Sequence, residues 1–503
     1  AALIAATPAD GAVMARAPAA FTLSFSEPVS PLVLRLIGPD GTARTLERFT
    51  LRDRALTIEA PADLAEGSHV LSWRVVSEDG HPVGGSVVFS VGAPGARPLA
   101  TAPQRDFAVA LALWLGRAGL YLGLAFGIGG VAFSAWAGPL PTAARKPLRV
   151  LLLLGLAAMP VALAAQGLDA LAAPPSELLR PEIWRAASGS SFGHTAAIAV
   201  LAMLSGLASL SLTGRTGRAL AIAALLGSGL ALAASGHASA AAPQLLMRPA
   251  VFLHGLCMAA WAGALLPLAL ALRSTDGAAL LTRFSRRVPF FLAALLASGL
   301  ALAIVQVETP GALLTSAYGL VLLAKLALVA ALLGLAALNR YRLTTPASKG
   351  SEPATGRLRR VIGVEIAVML AILGTAALWR FTPPPRTLAL ALAAAAPASV
   401  HIHGEKAMAE IGVTPGRVGP VSVSISLLDG AFGPLAAKEV RLSLANRAAG
   451  IEAVERPAIR QPDGNWQVNE LNLPVAGRWT VELEILVSDF ELIRLSETIE
   501  IKP

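Results

Sequence analysis

The sequence predicts a polytopic α-helical membrane protein, in which eight transmembrane helices are flanked by two exterior all-β sandwich domains. The composition supports this prediction, because 55% of the 503 residues are hydrophobic and only 15% are charged, whereas soluble chains carry about 25% charged residues. The order of the segments supports it as well, since strand-like polar stretches at both ends enclose a series of long apolar runs. The net charge of +9 falls in short loops between these runs, which is typical of a membrane protein and not of a nucleic-acid-binding one.

The amino-terminal residues 1–98 predict a small β-sandwich. In "FTLSFSEPV", Phe21, Leu23 and Phe25 alternate with hydroxyl side chains, which is the period of a half-buried strand. Further short segments of this kind are separated by Pro-Asp-Gly and Asp-Gly turns, as in a sandwich. His69 falls on one of the predicted strands, where we expect it at the surface.

Eight apolar runs follow, and most of them meet or approach the roughly 20 residues needed to cross about 30 Å of hydrocarbon. Every second loop between them is rich in arginine and lysine, whereas the alternate loops hold only Arg180, Arg185 and Arg248. By the positive-inside rule the basic loops face the cytoplasm, which places both terminal domains outside. The helices are predicted at 107–133, 148–168, 194–212, 219–236, 249–272, 288–306, 317–338 and 361–381.

The carboxy-terminal part predicts a second exterior β domain of the immunoglobulin type, because "VSVSIS" (421–426) and "EVRLSL" (439–444) alternate strictly. Since an exported amino terminus needs a leader, we expect that a signal peptide preceded Ala1 and was removed. The predicted boundaries are 1–98 for the first β domain, 99–106 for a linker, 107–382 for the membrane domain, 383–397 for a second linker and 398–503 for the last β domain.

Histidines near the exterior ends of the helices are candidate metal ligands. His194 opens the third predicted helix, His237 closes the fourth, and His254 lies about one turn into the fifth. Imidazole binds copper, zinc, iron and nickel, so three such side chains can share one ion; the alternative is that they are polar anchors at the interface. His254, Cys257 and Met258 are spaced i, i+3 and i+4 and share one helix face. Their soft ligand atoms favour Cu(I), although Cys and Met are also ordinary core residues.

Methionines offer a weaker candidate site. Met159, Met203, Met258 and Met369 each lie roughly 12–17 Å into a predicted helix, at 1.5 Å per residue. They can form a metal-binding site of thioether ligands near the membrane midplane, or they can simply fill the core.

Three charged residues fall inside the predicted helices, where charge is costly and indicates function by default. Arg117 and Lys325 are predicted near mid-depth, and Glu365 about one turn inside the last helix. For Glu365 we expect a structural ion pair with an arginine on the cytoplasmic side.

Two further candidate metal sites lie in the terminal domains. "SEDGHPVGG" (77–85) places Asp79 and His81 in one tight turn, and a carboxylate with an imidazole fits Cu(II), provided that a third ligand completes the site. His401 and His403 are spaced i and i+2 on a predicted strand and therefore face the same side. They can bind metal or simply begin a polar strand.

At these motifs the sequence resembles a known family. "PADGAVMARAP", "LSFSEPV" and "LSWRVVSEDGHPVGG" within residues 1–92 resemble CopC, a periplasmic copper-binding β-sandwich. "FLHGLCMAAWAGALLPL" (252–268) and "YGLVLLAKLALVAALLGLAALNRYR" (318–342) resemble CopD, a membrane protein. The segment from "HIHGEKAMAEIGVTPGRVGP" onward is similar to the exterior domain of CopC–CopD fusion proteins of the YcnJ type.

The resemblance implies a Cu(II) site made of an amino-terminal His with its own amine and the Asp and His of the turn. Asp79 and His81 match the latter two. The family's amino-terminal "His-Ala-x-Leu" is matched only by Ala1, Ala2 and Leu3. Either a His precedes Ala1 in the mature chain, or the site has lost its third ligand.

The expected function is copper transport across the bacterial inner membrane, most directly uptake into the cytoplasm. The resemblance implies Cu(II) at the CopC-like domain, and the soft ligands predict Cu(I) in the membrane domain. The expected partners are copper ions, the lipid bilayer and periplasmic or cytoplasmic copper-binding proteins, but no nucleic acid. The alternatives are a membrane-anchored copper chaperone without transport and, in a further class, a redox protein with one haem between two histidines. The sequence has no phosphate-binding loop, nucleophile elbow or HExxH motif, and we expect no enzymatic activity.

Overall fold

The computed structural model describes a helical membrane domain and two terminal β regions. The helices form one compact unit, and the β regions belong to a second. The described residues are 3–8, 12–14, 16–25, 28–77, 82–92, 106–386, 389, 396–404, 406–429, 433–461 and 464–502.

The amino-terminal region contains a four-stranded sheet of order β1-β3-β7-β6 and a five-stranded sheet of order β2-β9-β8-β4-β5. The predicted alternation in β3 is confirmed, because Phe21, Leu23 and Phe25 are all buried. The strands are β1 (Leu3–Thr7), β2 (Ala12–Met14), β3 (Ala20–Phe25), β4 (Val29–Ile37), β5 (Ala43–Thr45), β6 (Phe49–Arg52), β7 (Ala55–Glu59), β8 (Gly67–Ser77) and β9 (Pro82–Val91).

The expectation that His69 lies at the surface is wrong. His69 is only 2% exposed, and its ring stacks on Phe89 with 5.3 Å between the ring centres. Its Nε2 lies 2.8 Å from the carbonyl oxygen of Ala65. The physical reason is that β8 is the middle strand of its sheet and is buried along most of its length, so alternation does not separate an inner from an outer face.

The carboxy-terminal region also contains two sheets, of order β10-β11-β12-β16-β15 and β14-β13-β17-β18. Val423 and Ile425 of β12 pack in one core with Leu442, Leu444 and Trp479, as their alternation predicts. The strands are β10 (Ala398–His403), β11 (Ala407–Thr414), β12 (Gly419–Asp429), β13 (Glu439–Asn446), β14 (Ile451–Pro457), β15 (Ile459–Arg460), β16 (Trp466–Leu473), β17 (Gly477–Ser488) and β18 (Glu491–Ile501).

Within the described residues, the membrane domain has eight helices that are long and apolar enough to cross a bilayer, and the predicted fold class is thereby confirmed. Most of them extend beyond the apolar runs, because polar residues at their ends stay helical. The fourth helix begins five residues earlier and ends three residues earlier than predicted. The helices are α1 (Phe107–Trp136), α2 (Thr142–Leu171), α3 (Ser191–Ser211), α4 (Gly214–Ala233), α5 (Gln244–Ala271), α6 (Gly277–Val307), α7 (Ala317–Ser348) and α8 (Glu352–Arg380).

Successive helices run in opposite directions, so the loops after α1, α3, α5 and α7 meet at one end of the domain. We call it the arginine-rich end, since Arg145, Arg215, Arg273 and Arg342 lie there. The opposite end, where α1 begins and α8 ends, is called the terminal end. It also carries a two-turn helix, Pro181–Ser188, between α2 and α3.

Small residues bring α1 close to its neighbours. Five of its glycines face α2, where they meet Ala162, Ala158, Gly155, Leu152 and Leu148 in turn, and Gly129 meets Ala259 and Gly263 of α5. Such small-residue contacts allow the backbones of membrane helices to approach closely. Within α1 the turn widens to a π-helix over Gly123–Ile128, and α7 has a second π segment at Asn339–Leu343. Helix α5 is the most deeply buried of the eight and packs on α1, α4, α6 and α8.

Candidate functional site

The candidate sites of the terminal regions are described only in part. Asp79 and His81 lie outside the described residues, and their predicted copper site remains a prediction. His401 and His403 are both exposed on β10, which is an edge strand of its sheet. Their ring centres are 4.5 Å apart, so the two imidazoles do face the same side. Glu410 stands opposite His401 on β11 and is also exposed.

The three predicted rim histidines occupy different surroundings. His194 lies in the first turn of α3 and is exposed. His237 does not close α4, which ends at Ala233; it begins a separate one-turn helix, His237–Ala240, and its side chain lies outside what the structure describes. His254 is not one turn into its helix. Because α5 already begins at Gln244, His254 lies roughly 15 Å from the helix start at 1.5 Å per residue.

The His254 ring is inserted between α5 and α6. Its Nδ1 lies 3.2 Å from the carbonyl oxygen of Leu295 and 3.4 Å from the hydroxyl of Ser298. A β-carbon placed on Gly299 would lie 3.0 Å from the ring, so the glycine makes room for the imidazole. The charge of Lys325 on α7 is also close enough to interact with His254.

The sulfur atoms predicted beside His254 belong to a packed cluster. Cys257 is 2% exposed and shares a core with Phe126, Trp261 and Met369. Met258 is half-buried and packs against the same core. We call Cys257, Met258 and Met369 the sulfur cluster. It joins α5 to α8 and contains one thiol and two thioethers.

The four methionines do not gather in a single cluster, as one thioether site would require. Met159 and Met203 belong to another core, together with residues of α1 to α5. The sulfur of Met203 fills a notch where α1 meets α2, because β-carbons placed on Gly123 and Gly155 would lie 2.8 Å and 2.7 Å from it. The π segment of α1 therefore has Met203 on one side, at Gly123, and the sulfur cluster on the other side, at Phe126.

Both intramembrane cations turn toward the terminal end. The Arg117 guanidinium lies 5.3 Å from the ring centre of Phe192, in the first turn of α3. The Lys325 ammonium lies 4.7 Å from the ring centre of Trp379, near the end of α8. Neither forms a salt bridge within the described part of the chain. Cation–π contact with aromatic rings at the helix ends stabilises them instead.

The ion pair expected for Glu365 is not present among the described residues. Because α8 begins at Glu352, Glu365 lies roughly 20 Å inside the helix at 1.5 Å per residue, beyond its basic first turns. Its carboxyl group hydrogen-bonds to the side chain of Asn339 on α7. Glu365 and Asn339 line a cavity of about 420 Å³ between α5, α6, α7 and α8.

One ion pair with a buried arginine was not predicted. Asp169, at the end of α2, pairs with Arg380, whose side chain is 3% exposed. These residues stand at the ends of two apolar runs far apart in the chain, so only the packing of α2 near α8 brings them together. Asn339, the partner of Glu365, was also not predicted. The sequence does contain a signal for it, because Asn339 is a polar amide that directly follows an apolar run in "LAALNRYR".

No three His, Cys, Asp or Glu side chains of the described residues gather as a metal site. The chemical groups instead succeed one another along α5, with His254 and Lys325 nearer the terminal end, then the sulfur cluster, then the cavity with Glu365. Thiol and thioether sulfur bind soft cations such as Cu(I). The arrangement can therefore offer weak, successive contacts to such an ion.

Three protein families match successive parts of the chain. Residues 3–92 match the CopC domain, residues 106–245 match the copper resistance protein D-like N-terminal domain, and residues 278–379 match copper resistance protein D.

Individual proteins are similar as well. The copper transport protein CutJ of Bacillus subtilis (strain 168) is 24% identical over 529 residues, which cover 99% of this chain and 95% of that protein. Copper resistance protein C of Xanthomonas campestris pv. juglandis is 32% identical over 102 residues, covering 18% of this chain and 77% of that protein. The crystal structure of CopC from Methylosinus trichosporium OB3b is 30% identical, with 19% of this chain and 97% of that chain covered and a TM-score of 0.17.

Proposed function

The chain belongs to the copper resistance protein family and joins its CopC and CopD domains in one integral membrane protein, and from this premise we propose that it carries copper across the bacterial inner membrane. The direction that we propose is uptake, from the periplasm into the cytoplasm. The basic loops at the arginine-rich end support a cytoplasmic location of that end by the positive-inside rule. Both terminal β regions then lie in the periplasm.

The observation that carries this proposal is the sulfur cluster on the most buried helix. Cys257, Met258 and Met369 lie inside the helix bundle, between the His254 region and the cavity that Glu365 lines. Conduction requires sites that bind an ion and still release it. One thiol and two thioethers offer Cu(I) such contacts.

The proposed route begins in the terminal regions. The CopC domain captures Cu(II) with Asp79 and His81, and an exterior one-electron reductant converts the ion to Cu(I) before it enters the bundle. His254 receives the ion at α5, and the sulfur cluster passes it toward the arginine-rich end. Copper-binding proteins on either side are the proposed donors and acceptors.

Copper accumulation in the lumen of proteoliposomes tests the proposal. The purified full chain is given copper with a reductant outside, and lumenal copper is measured after the outer copper is chelated. We expect accumulation with the wild type and at least a tenfold lower initial rate with His254→Ala and with Cys257→Ser/Met369→Leu. Met247→Leu is the matched control, because Met247 is a buried methionine on the same helix outside the sulfur cluster, and it should leave the rate unchanged.

A copper chaperone that holds the ion without transport is the second candidate. Two observations favour it: the Lys325 ammonium opposes a second cation at His254, and the paired rings of His401 and His403 are exposed in a terminal region. Stoichiometric copper binding with an empty lumen would establish the chaperone and refute the transporter. A Soret band in the absorbance spectrum of the same preparation would instead reveal haem.

A further inference from the structure

The cavity between α5, α6, α7 and α8 contains polar groups that copper ligation does not use. Its volume is about 420 Å³, and most of its walls are apolar side chains such as Trp261, Leu265 and Phe284. Glu365 and Asn339 face it from α8 and α7. Trp261 belongs both to the cavity wall and to the core of the sulfur cluster, so the cavity adjoins that cluster directly.

Glu365 differs from Asp169, which is only partly buried at the end of α2. Asp169 is neutralised by Arg380, whereas Glu365 is 3% exposed and forms no salt bridge with any described residue. A carboxylate without a cation is costly inside the membrane, and such residues are typical of proton relays. Protonation removes that charge without a partner cation.

The geometry of Asn339 complements a protonated carboxyl group. Asn339 is 7% exposed, and its side chain hydrogen-bonds to Glu365. Its Oδ1 has no hydrogen-bond partner among the described residues. An amide has two donor hydrogens and one acceptor oxygen, and a carboxylic acid has one donor and one acceptor. The acid form of Glu365 can therefore accept from the amide nitrogen and donate to the orphaned Oδ1, which a carboxylate cannot do.

The backbone also departs from a regular helix at this position. Asn339 begins the π segment Asn339–Leu343 of α7, and the hydroxyl of Thr344 donates to the carbonyl oxygen of Asn339 at 2.8 Å. Segments of π-helix occur often at functional sites.

We propose that Glu365 and Asn339 form a proton-binding site, which exchanges its proton through the cavity with the aqueous phase at the arginine-rich end. The step is a simple acid–base reaction, in which the carboxylate gains or loses one proton and no electron moves. Its coupling to copper rests on the proposed function: one Cu(I) that leaves the sulfur cluster for the cavity displaces one proton from Glu365 into the aqueous phase at the arginine-rich end, and Glu365 takes a proton back from that phase when the ion leaves. The carboxylate balances the charge of the ion while the ion occupies the cavity, and no proton crosses the membrane.

Other charged groups around the cavity are few. Within the described residues, Arg340 and Tyr341 of α7 face it, and α5, α6 and the rest of α8 contribute no titratable side chain. Arg340 donates to the backbone carbonyl and the hydroxyl of Ser285 on α6. The guanidinium is therefore held by α6 and not by Glu365.

Carbodiimide labelling of the intact protein tests the proton site by itself. Dicyclohexylcarbodiimide reacts with protonated carboxyl groups in apolar surroundings, and peptide mass spectrometry locates the adduct. At pH 7 we expect Glu365 to be labelled at least tenfold more than exposed Glu352 on the same helix and paired Asp169. Labelling of Glu365 should fall as the pH is raised. Equal labelling of the three residues, or labelling that does not change with pH, would overturn the proposal, with or without copper transport.

The lumenal pH tests the coupling. In proteoliposomes at a fixed outer pH, the initial rate of copper entry should depend on the lumenal pH, and Glu365→Gln should remove this dependence. Glu352→Gln is the control and should depend on the lumenal pH as the wild type does. A dependence that Glu365→Gln leaves unchanged, or no dependence in the wild type, would refute the coupling. Where Glu365→Gln does not fold, Asn339→Leu serves instead, and it should reduce both the labelling of Glu365 and the dependence on lumenal pH.

Discussion

A methyl group added at Gly155 tests how closely α1 and α2 must pack. Gly155 lies on α2 opposite Gly123 of the π segment in α1. A β-carbon at Gly155 would lie 2.7 Å from the sulfur of Met203 and 2.8 Å from the α-carbon of Gly123, whereas ordinary contacts begin at 3.4 Å. The Met203 side chain can change its rotamer, but the backbone of Gly123 cannot. We therefore expect Gly155→Ala to force the two helices apart.

The free energy of this displacement follows from the lost contacts. The α-carbon of Gly123 must retreat by about 0.6 Å, and a gap of roughly 0.5–1 Å forfeits a quarter to a half of the dispersion energy of an atom pair. If about 50 pairs at about 0.15 kcal/mol each are affected along the crossing, the loss is about 2–4 kcal/mol. This agrees with the roughly 1–3 kcal/mol measured for overpacked cores. It also exceeds the gain of about 0.5–1 kcal/mol that alanine brings to a helix in place of glycine.

Thermal stability in detergent measures the effect, as the fraction of protein that still elutes in its native position after heating. At about 2–4 °C per kcal/mol, the loss of about 2–4 kcal/mol in Gly155→Ala should lower the midpoint by about 4–16 °C. Gly363→Ala is the matched control, because a β-carbon there meets no atom within 4 Å; it should leave the midpoint unchanged or raise it. Equal midpoints for the two variants would refute the reasoning. Full rescue by the additional change Met203→Ala would also refute it, since the contact with Gly123 would then be harmless.

Three further predictions concern pairs of side chains. Asp169→Ala removes the carboxylate that pairs with the buried Arg380 guanidinium, so the free energy of unfolding should fall by up to about 3–5 kcal/mol; in the same heating assay, the additional change Arg380→Met should restore most of it. His69→Ala removes a stacked ring and one hydrogen bond, which should lower the free energy of unfolding by about 1–3 kcal/mol in denaturant titrations. Loss of bound copper from the folded variant would show that His69 is a copper ligand instead. The hydrogen bond from Arg44 holds the pKa of Asp63 below its usual value in the folded protein. Because the Asp63 pKa in the unfolded chain is about 3.9, the pair stabilises the fold fully at pH values above this. The stabilisation is lost as the pH falls through the lower pKa that Asp63 has in the folded protein. Asp63→Asn should therefore differ slightly from the wild type in its unfolding midpoint at pH 7 and no longer differ in strong acid.

The fold class and the number of helices could be predicted because they depend on composition and period. Apolar runs near the length of a membrane span, and the alternation of Phe21, Leu23 and Phe25, report on burial directly. Helix ends could not be predicted equally well. The stretch before Val361 is polar, yet α8 already begins at Glu352, since the backbone hydrogen bonds of a helix do not require apolar side chains.

The depth of the candidate residues was misjudged for that reason. His254 and Glu365 each lie further along their helices than the apolar runs indicate. Their partners depend on packing between helices, which leaves no periodic signal in the sequence. The contact of His254 with α6 requires Gly299, and the bond between Glu365 and Asn339 requires α7 and α8 to meet at one register. The spacing of Cys257 and Met258 was informative, because both side chains do pack on one core.

The positions of the charges bear on how an ion can pass through the bundle. Lys325 and Arg117 turn toward the terminal end, and the uncompensated carboxyl group of Glu365 lies in the arginine-rich half. A cation that enters near His254 must therefore move away from a positive charge and toward a group that can become negative. Replacing Lys325 with methionine should remove the opposing charge and raise the affinity of the reduced protein for Cu(I). In a competition titration with a chromophoric Cu(I) chelator, unchanged or weaker binding by Lys325→Met would show that this charge does not influence the copper site.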